Sequence, residues 1–289
     1  MAPHERFQGR SIVVTGASTG IGRACVASAI GGGAHVFATV RSQADAAGLS
    51  QEFSAAVTPL IMDVTDAAAV ADAAAQVREA LGGRALAGLV NNAGVVVAGP
   101  VELLPAEDLR RQFDINLFGV HEVTRAFLPL LKGEQPGRIV MISSIGAKDA
   151  QVFSAGYAAS KAALEKYAQS LRREMMLYGI KVIIVAPGSV KTPIWDKAIK
   201  TDPARYAGTP YERAAERMRA LIPRIEAMGL PAARIGETVW RMLTMAHPPQ
   251  KVMRIAGLTG WAQLNLPPEW IDRAIANALE LKPQSRPQR

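Results

Sequence analysis

Short apolar runs alternate with longer helical stretches along most of the chain. Six of these runs read as strands: Ser11–Thr15, His35–Val40, Thr58–Met62, Gly88–Asn91, Arg138–Ser143 and Lys181–Ala186. They are rich in Val, Ile and Ala and lack the in–out alternation of a half-exposed strand, which suits strands covered on both faces. Lys251–Ile255 is expected to add a short seventh strand. Strands separated by helices wind into a parallel sheet through right-handed crossovers. The expected fold is therefore α/β, one domain spanning residues 1–289, with a doubly wound parallel sheet of about seven strands and helices on both faces. No repeat at solenoid periods and no low-complexity linker divides the chain.

The pattern lapses at residues 195–230, where a new helical stretch interrupts the strand–helix alternation. Thr209-Pro210-Tyr211-Glu212 has capping-box spacing with proline in the first helical position, and Pro223 is expected to end or kink the helix that follows. This segment is expected to form a substrate lid with Ile194, Trp195, Tyr206, Tyr211 and Met218 as apolar lining; packing on the body or on a second subunit is the competing reading. A last helix, Pro268–Leu281, carries Trp270, Ile271, Ile275, Ala278 and Leu279 and reads as core or interface. Residues 282–289 are expected to form a flexible tail.

Composition narrows the class. Hydrophobic residues make up 49% of the 289 and charged residues 20%, as in a packed globule. The net charge of +8 is dispersed and mixed with acids, which speaks against a nucleic-acid surface and for the binding of a phosphorylated small molecule. No apolar run approaches the roughly 20 residues of a bilayer span, and Met1–Arg10 lacks a hydrophobic segment, so neither a signal peptide nor a membrane span is expected. The single cysteine, Cys25, reads as a core residue in a reducing, cytoplasmic compartment. His35, His121 and His247 are scattered, and no metal site is expected.

The first strand runs into Thr15-Gly16-Ala17-Ser18-Thr19-Gly20-Ile21-Gly22. Glycines at 16, 20 and 22 let the backbone turn sharply and approach a pyrophosphate, which free N–H groups and the positive end of the next helix would stabilise. The order is G-x-x-x-G-x-G, on what is expected to be a Rossmann-type sheet. At the end of the second strand an acid would accept from a ribose 2′-hydroxyl; this chain has Arg41 instead, which can pair with a 2′-phosphate. NADP is favoured over NAD on that ground, a solvated Arg41 being the alternative. Asp63 stands just past the third strand, placed to reach adenine, with Val64 beside it. Asn91-Asn92-Ala93-Gly94 closes the fourth at the sheet edge where such folds bind ligands.

Tyr157 and Lys161 lie four residues apart, on one face of a helix whose packing stripe continues through Leu164, Ala168, Leu171 and Met175. Ser144 follows the fifth strand, with Ser143 a weaker candidate. Hydride transfer to a carbonyl leaves an alkoxide that must collect a proton, so the site needs a group that gives and takes protons. A nearby ammonium and the positive nicotinamide ring would favour the tyrosine phenolate; lowering its pKa by about three units asks roughly 4 kcal/mol. Ser144 would hydrogen-bond the substrate oxygen. Gly156 and Ser160 do not make a hydrolase elbow, because Ser160 lies inside the helix.

Thr15–Gly22, Asn91–Gly94, Asn116 within Asp114-Ile115-Asn116, Ile142-Ser143-Ser144, Tyr157-Ala158-Ala159-Ser160-Lys161 and Pro187-Gly188 with Thr192 together resemble the short-chain dehydrogenase/reductase family of the non-extended type, from about Gln8 to Lys200. The resemblance implies Tyr157 as acid/base, Lys161 also on the nicotinamide ribose, Asn116 holding a water in a proton relay, and Pro187, Gly188, Val190 and Thr192 flanking the carboxamide. The cofactor set implied is Gly16, Ser18, Thr19, Gly20, Ile21, Gly22, Arg41, Asp63, Val64, Asn92, Ala93 and Gly94 with Tyr157 and Lys161. Asn116 is otherwise an odd choice inside the helical run Leu109–Leu131, since its side chain competes with the helix's own hydrogen bonds. Phe127–Leu131 and Leu171–Glu174 are similar to the branch with retinol, hydroxysteroid and hydroxybutyrate dehydrogenases. That implies an NADP-dependent oxidoreductase for a secondary alcohol and its ketone or aldehyde, often hydrophobic, in a homodimer or homotetramer. Many retinol-active relatives begin with a membrane anchor, which Met1–Arg10 does not offer. A sensing protein that binds NAD(P) without turnover is the rival class on the same fold.

Overall fold

The computed structural model describes residues 9–192 and 203–281. Seven strands form one parallel sheet: β1 (Ser11–Val14), β2 (His35–Val40), β3 (Val57–Ile61), β4 (Gly88–Asn91), β5 (Arg138–Ile142), β6 (Lys181–Pro187) and β9 (Lys251–Arg254), in the order β3-β2-β1-β4-β5-β6-β9. The chain order reverses direction at β1–β4, so the carboxyl ends of those strands splay their connections apart and open a crevice. Two further short strands, β7 (Val190–Lys191) and β8 (Leu230–Pro231), pair with each other outside the main sheet.

Both faces of the sheet are covered, as the unalternating strands require. Ile12 and Val14 of β1 join one apolar cluster and Val13 the other. The first cluster takes in α1 (Gly20–Gly31), α2 (Gln43–Phe53) and α8 (Ala232–Thr244); the second takes in α3 (Ala67–Leu81), α5 (Gly119–Phe127) and α6 (Ala155–Glu174). Helices α1 and α8 meet at close range because Gly236 has no Cβ, which would fall 2.3 Å from the Ala24 carbonyl oxygen.

Three local expectations need correction. The run Leu109–Leu131 is not one helix: α4 (Ala106–Phe113) passes into a π turn, Asp114–Phe118, then α5, and ends in a 3₁₀ turn at Leu128–Leu131. In the π turn Gly119 N reaches back five residues to Asp114 O, and Asn116 sits inside it, fully buried. The helix after Thr209 starts at Glu212, as α7 (Glu212–Ala227), because the proposed box closes one residue early: Thr209 Oγ1 accepts from Tyr211 N at 3.2 Å, and the Glu212 carboxylate accepts from Gly208 N at 2.9 Å. Helix α7 also continues past Pro223, which costs it one backbone bond but does not end it. Helices α9 (Gly257–Asn265) and α10 (Pro268–Leu279) complete the fold, α10 stopping at Glu280, a left-handed residue with φ 53°. Ile194, Trp195 and the tail 282–289 lie outside the described residues. Among those described, no helix is long and apolar enough to cross a membrane.

Candidate active site

A cavity of about 850 Å³ opens along the carboxyl ends of the strands. Its floor is the β1–α1 turn. Gly16 has φ 63°, a conformation that side chains rarely adopt, and a Cβ on Gly22 would stand 2.2 Å from the Gly16 carbonyl oxygen. Ser18, Thr19, Gly20 and Ile21 line the cavity, whereas Gly22 lies beneath it as the contact that lets the turn close. Thr19 caps α1 with backbone geometry alone, and no acid occupies the helix's first turn, so its N–H groups are left for an anion.

The turn is braced from β4. Thr15 Oγ1 accepts from Asn92 N and Ala93 N, both at 3.0 Å, while Asn92 Nδ2 donates to Thr15 O at 2.8 Å and Gly16 O at 3.0 Å. The Thr15 hydroxyl is the joint between the two loops. Arg41, Asp63, Val64, Asn92, Ala93, Gly94, Pro187, Gly188, Val190 and Thr192 all line the same cavity. Burial works against the Asp63 carboxylate, but Thr65 N, Thr65 Oγ1 and the nearby Arg41 charge outweigh it and hold the carboxyl below its ordinary value. Arg41 itself is exposed at the rim.

Ser144, Tyr157 and Lys161 line the same cavity. Ser144 opens a short 3₁₀ turn, Ile145–Ala147, its Oγ accepting from Gly146 N at 3.0 Å, and it hydrogen-bonds the Tyr157 hydroxyl. Burial pushes the Tyr157 phenol above its ordinary range; the Ser144 bond draws it part of the way back. Lys161 is buried, its Nζ donating to Ile142 O at 2.9 Å and lying 5.9 Å from the Tyr157 ring centre, and burial lowers its pKa to about 8. Ser143 belongs to another network: its hydroxyl donates to Glu165 at 2.8 Å, and Glu165 pairs with Lys251 at 2.6 Å.

Asn116 lies next to this group without lining the cavity. Its side chain is spent on Val95 N, Val95 O and Ser160 Oγ, at 2.9, 3.0 and 3.0 Å.

The roof combines both late segments. Tyr206, Met218, Ile222, Ile225 and Met228 line it from residues 203–230, and Ile271, Ala274, Ile275 and Ala278 line it from α10. Helix α10, read from sequence as core or interface, is therefore a cavity wall; its Ile271–Ile275 spacing is the same signal a core stripe gives. Tyr211 is not in the lining: its hydroxyl donates to Glu102 at 2.8 Å and its ring packs edge-on against Phe153. Asp149, on the turn after Ser144, also lines the cavity and carried no signal in the sequence. Among the described residues no cluster of His, Cys, Asp or Glu could hold a metal.

The chain is similar to known proteins. A family model described as short chain dehydrogenase matches residues 10–203. The NADPH-dependent 3-dehydrocapnine reductase of Ornithobacterium rhinotracheale is 34% identical over 243 residues, covering 83% of this chain and 86% of that protein. Retinol dehydrogenase 16 of Mus musculus is 34% identical over 193 residues, 66% of this chain but only 60% of its own length. A short-chain dehydrogenase/reductase from Burkholderia phymatum, solved in complex with NAD, superposes with a TM-score of 0.76 at 23% identity, covering 93% of this chain and 96% of that one. The chain is a member of the short-chain dehydrogenase family and an NAD(P)-dependent oxidoreductase, on the branch that includes the retinol dehydrogenases.

Proposed function

We propose that the protein interconverts a secondary alcohol and its ketone or aldehyde, on substrates with an apolar body, and uses NADP in preference to NAD. One observation carries this reading: Ser144, Tyr157 and Lys161 share a single cavity with a glycine turn whose close approach at Gly22 only glycine permits. The turn fits a pyrophosphate by its free N–H groups, Asn92 to Gly94 and Pro187 to Thr192 fit the nicotinamide end, and Arg41 fits a 2′-phosphate. The NADPH dependence named for the Ornithobacterium rhinotracheale reductase agrees with that choice. The bound dinucleotide supplies the hydride, or accepts it in the reverse direction.

The remaining steps belong to the protein. Ser144 Oγ donates to the substrate oxygen and fixes it against the Tyr157 hydroxyl. Tyr157 gives its proton to the developing alkoxide in reduction and takes it back from the alcohol in oxidation. Lys161, held by Ile142 O, keeps a donor for the ribose and biases Tyr157 toward ionisation when charged. Asn116 has no free side-chain group, so a relay water would be held by its main chain within the π turn. The apolar lining from Tyr206, Met218, Ile222 and α10 excludes water and receives the substrate body. The buried single thiol, its pKa pushed up to about 12 by burial, suits a reducing cytoplasm.

The test is absorbance at the nicotinamide band for wild type and Tyr157→Phe, with NADP and NAD, on aliphatic, steroid, retinoid and hydroxy-acid alcohols and their ketones. Turnover by wild type alone, with NADP preferred, is the expected result. Turnover that survives the Phe substitution overturns the acid/base assignment, and tight cofactor binding without turnover on any substrate overturns catalysis.

A further inference from the structure

Helix α6 holds the end of β5 by three side chains. Lys161 Nζ donates to Ile142 O at 2.9 Å, Ser143 Oγ donates to Glu165 Oε1 at 2.8 Å, and Ser144 hydrogen-bonds the Tyr157 hydroxyl. Tyr157, Lys161 and Glu165 follow one another at intervals of four residues, which sets them along one side of the helix. Three consecutive residues, Ile142 to Ser144, are thus each bonded to a different one of them. Tyr157 and Lys161 line the cavity; Glu165 stands outside its lining and is 8% exposed.

The Glu165 carboxylate is engaged at both oxygens. Lys251 Nζ donates to Oε2 at 2.6 Å while Oε1 holds Ser143. A carboxylate at that depth is kept only when it is paired and hydrogen-bonded, so each partner depends on the other. Burial accounts for the lowered pKa of Lys161, so Glu165 acts on this end of the cavity by placement and not by charge. Ser143 N also donates to Val185 O at 2.8 Å, which leaves residue 143 fixed by main chain and side chain together, one residue before Ser144. Lys251 opens β9, and the chain leaves β9 into Ile255 and Ala256, which line the cavity. Since β6 lies between β5 and β9 in the sheet, the network ties two strands that do not pair with each other.

We infer that Glu165 is a positioning residue of the reaction: held by Lys251, it fixes Ser143 and, through Ser143, the approach of Ser144 to Tyr157. This rests on the roles proposed for Ser144 and Tyr157. Glu165 itself takes no proton in the reaction.

The deciding measurement is NMR of protein labelled with carbon-13 at the tyrosine ζ carbon, recorded without cofactor on wild type, Ser143→Ala, Glu165→Gln, Lys251→Met and Lys251→Arg, at a temperature where all are folded by circular dichroism. The chain has five tyrosines, and the Tyr157 resonance is the one lost in Tyr157→Phe. An amide offers one acceptor oxygen where the carboxylate offers two, so Glu165→Gln keeps the volume and deprives one of the two partners. Ser143→Ala, Glu165→Gln and Lys251→Met are expected to move the Tyr157 resonance while those of Tyr178, Tyr206 and Tyr211 stay in place, and Lys251→Arg should hold it at the wild-type position. Ser143→Ala combined with Lys251→Met should move it no further than the larger single shift, because both act through Glu165. A Tyr157 resonance that holds still while Tm falls makes the network a brace of the fold alone and overturns the inference, as do single shifts that add. Kinetics with 2-decanol and NADP give the second readout: kcat is expected to fall about tenfold in Ser143→Ala and Glu165→Gln, with the KM for NADP within about twofold. A variant kcat that stays at the wild-type value overturns the inference too. A moved resonance with no turnover of 2-decanol by wild type leaves the Glu165 assignment standing and counts against the alcohol–ketone reading; turnover with an unmoved resonance does the reverse.

Discussion

Asn116 grips the main chain of Val95 from both sides: its Oδ1 accepts from Val95 N at 2.9 Å and its Nδ2 donates to Val95 O at 3.0 Å. The same Nδ2 donates to Ser160 Oγ at 3.0 Å, and that hydroxyl donates to Tyr157 O at 2.8 Å. One buried amide thus joins the loop after β4, the π turn and the helix that carries Tyr157. Its shape matters less than its donors. Asn116→Asp keeps the size but turns an oxygen toward two acceptors, which should cost about 2–4 kcal/mol and lower Tm by roughly 5–10 °C. Turnover should fall about tenfold through misplacement of Tyr157. Calorimetry and kcat check this; an unchanged Tm would mean that the clamp does not hold in solution.

Arg41 sits exposed at the rim, next to the Asp63 carboxyl that it helps to hold ionised. Under the proposed NADP preference it would act as a screened surface charge against a phosphate, so its effect should be modest. Arg41→Ala is expected to raise the KM for NADP about tenfold and to leave the KM for NAD within about threefold, a change of roughly 1.4 kcal/mol confined to the 2′-phosphate. Equal losses with both cofactors would show that Arg41 shapes the loop and does not read the phosphate.

Gly22 makes the sharpest steric claim. A methyl group there would lie 2.2 Å from Gly16 O and 2.6 Å from Asn92 Nδ2, both parts of the brace beneath the cofactor floor. Backbone must move to accept it. Gly22→Ala is expected to weaken NADP binding at least tenfold and to destabilise the fold by about 1–3 kcal/mol, the cost of an overpacked contact. Fluorescence titration of cofactor binding, with chemical denaturation alongside, separates the two effects.

How far these features could be read in advance depends on the range of the interaction. The seven strands, the glycine turn and the Tyr157–Lys161 pair follow from local patterns: apolar runs, glycine spacing and a four-residue helical repeat. The π turn does not, because it depends on Val95 and Ser160, which are 21 and 44 residues away from Asn116. Helix α10 is hard to place from sequence for a related reason. An apolar stripe looks the same whether it covers a core or roofs a cavity, and only the tertiary fold places Ile271 and Ile275 over the cavity. Asp149 carried no signal at all, since only the tertiary fold brings the turn after Ser144 to the cavity.

Lys161 gives the stability of the cofactor-free protein a pH dependence whose sign can be worked out. Burial lowers its pKa to about 8 in the folded state, against about 10.4 in an unfolded chain. Below about pH 8 both states carry the proton, and the buried charge is a constant cost. Between about 8 and 10 the unfolded chain holds a proton that the native protein has lost, so stability rises with pH, by roughly 3 kcal/mol across the window. Lys161→Met removes this contribution and leaves those of all other groups. The difference in unfolding free energy, wild type minus Lys161→Met, should therefore grow between pH 7 and pH 10 when both are unfolded by urea without NADP. A difference that stays level would place the Lys161 pKa at its ordinary value and its ammonium in contact with water, and a difference that shrinks would mean that a buried anion holds it charged.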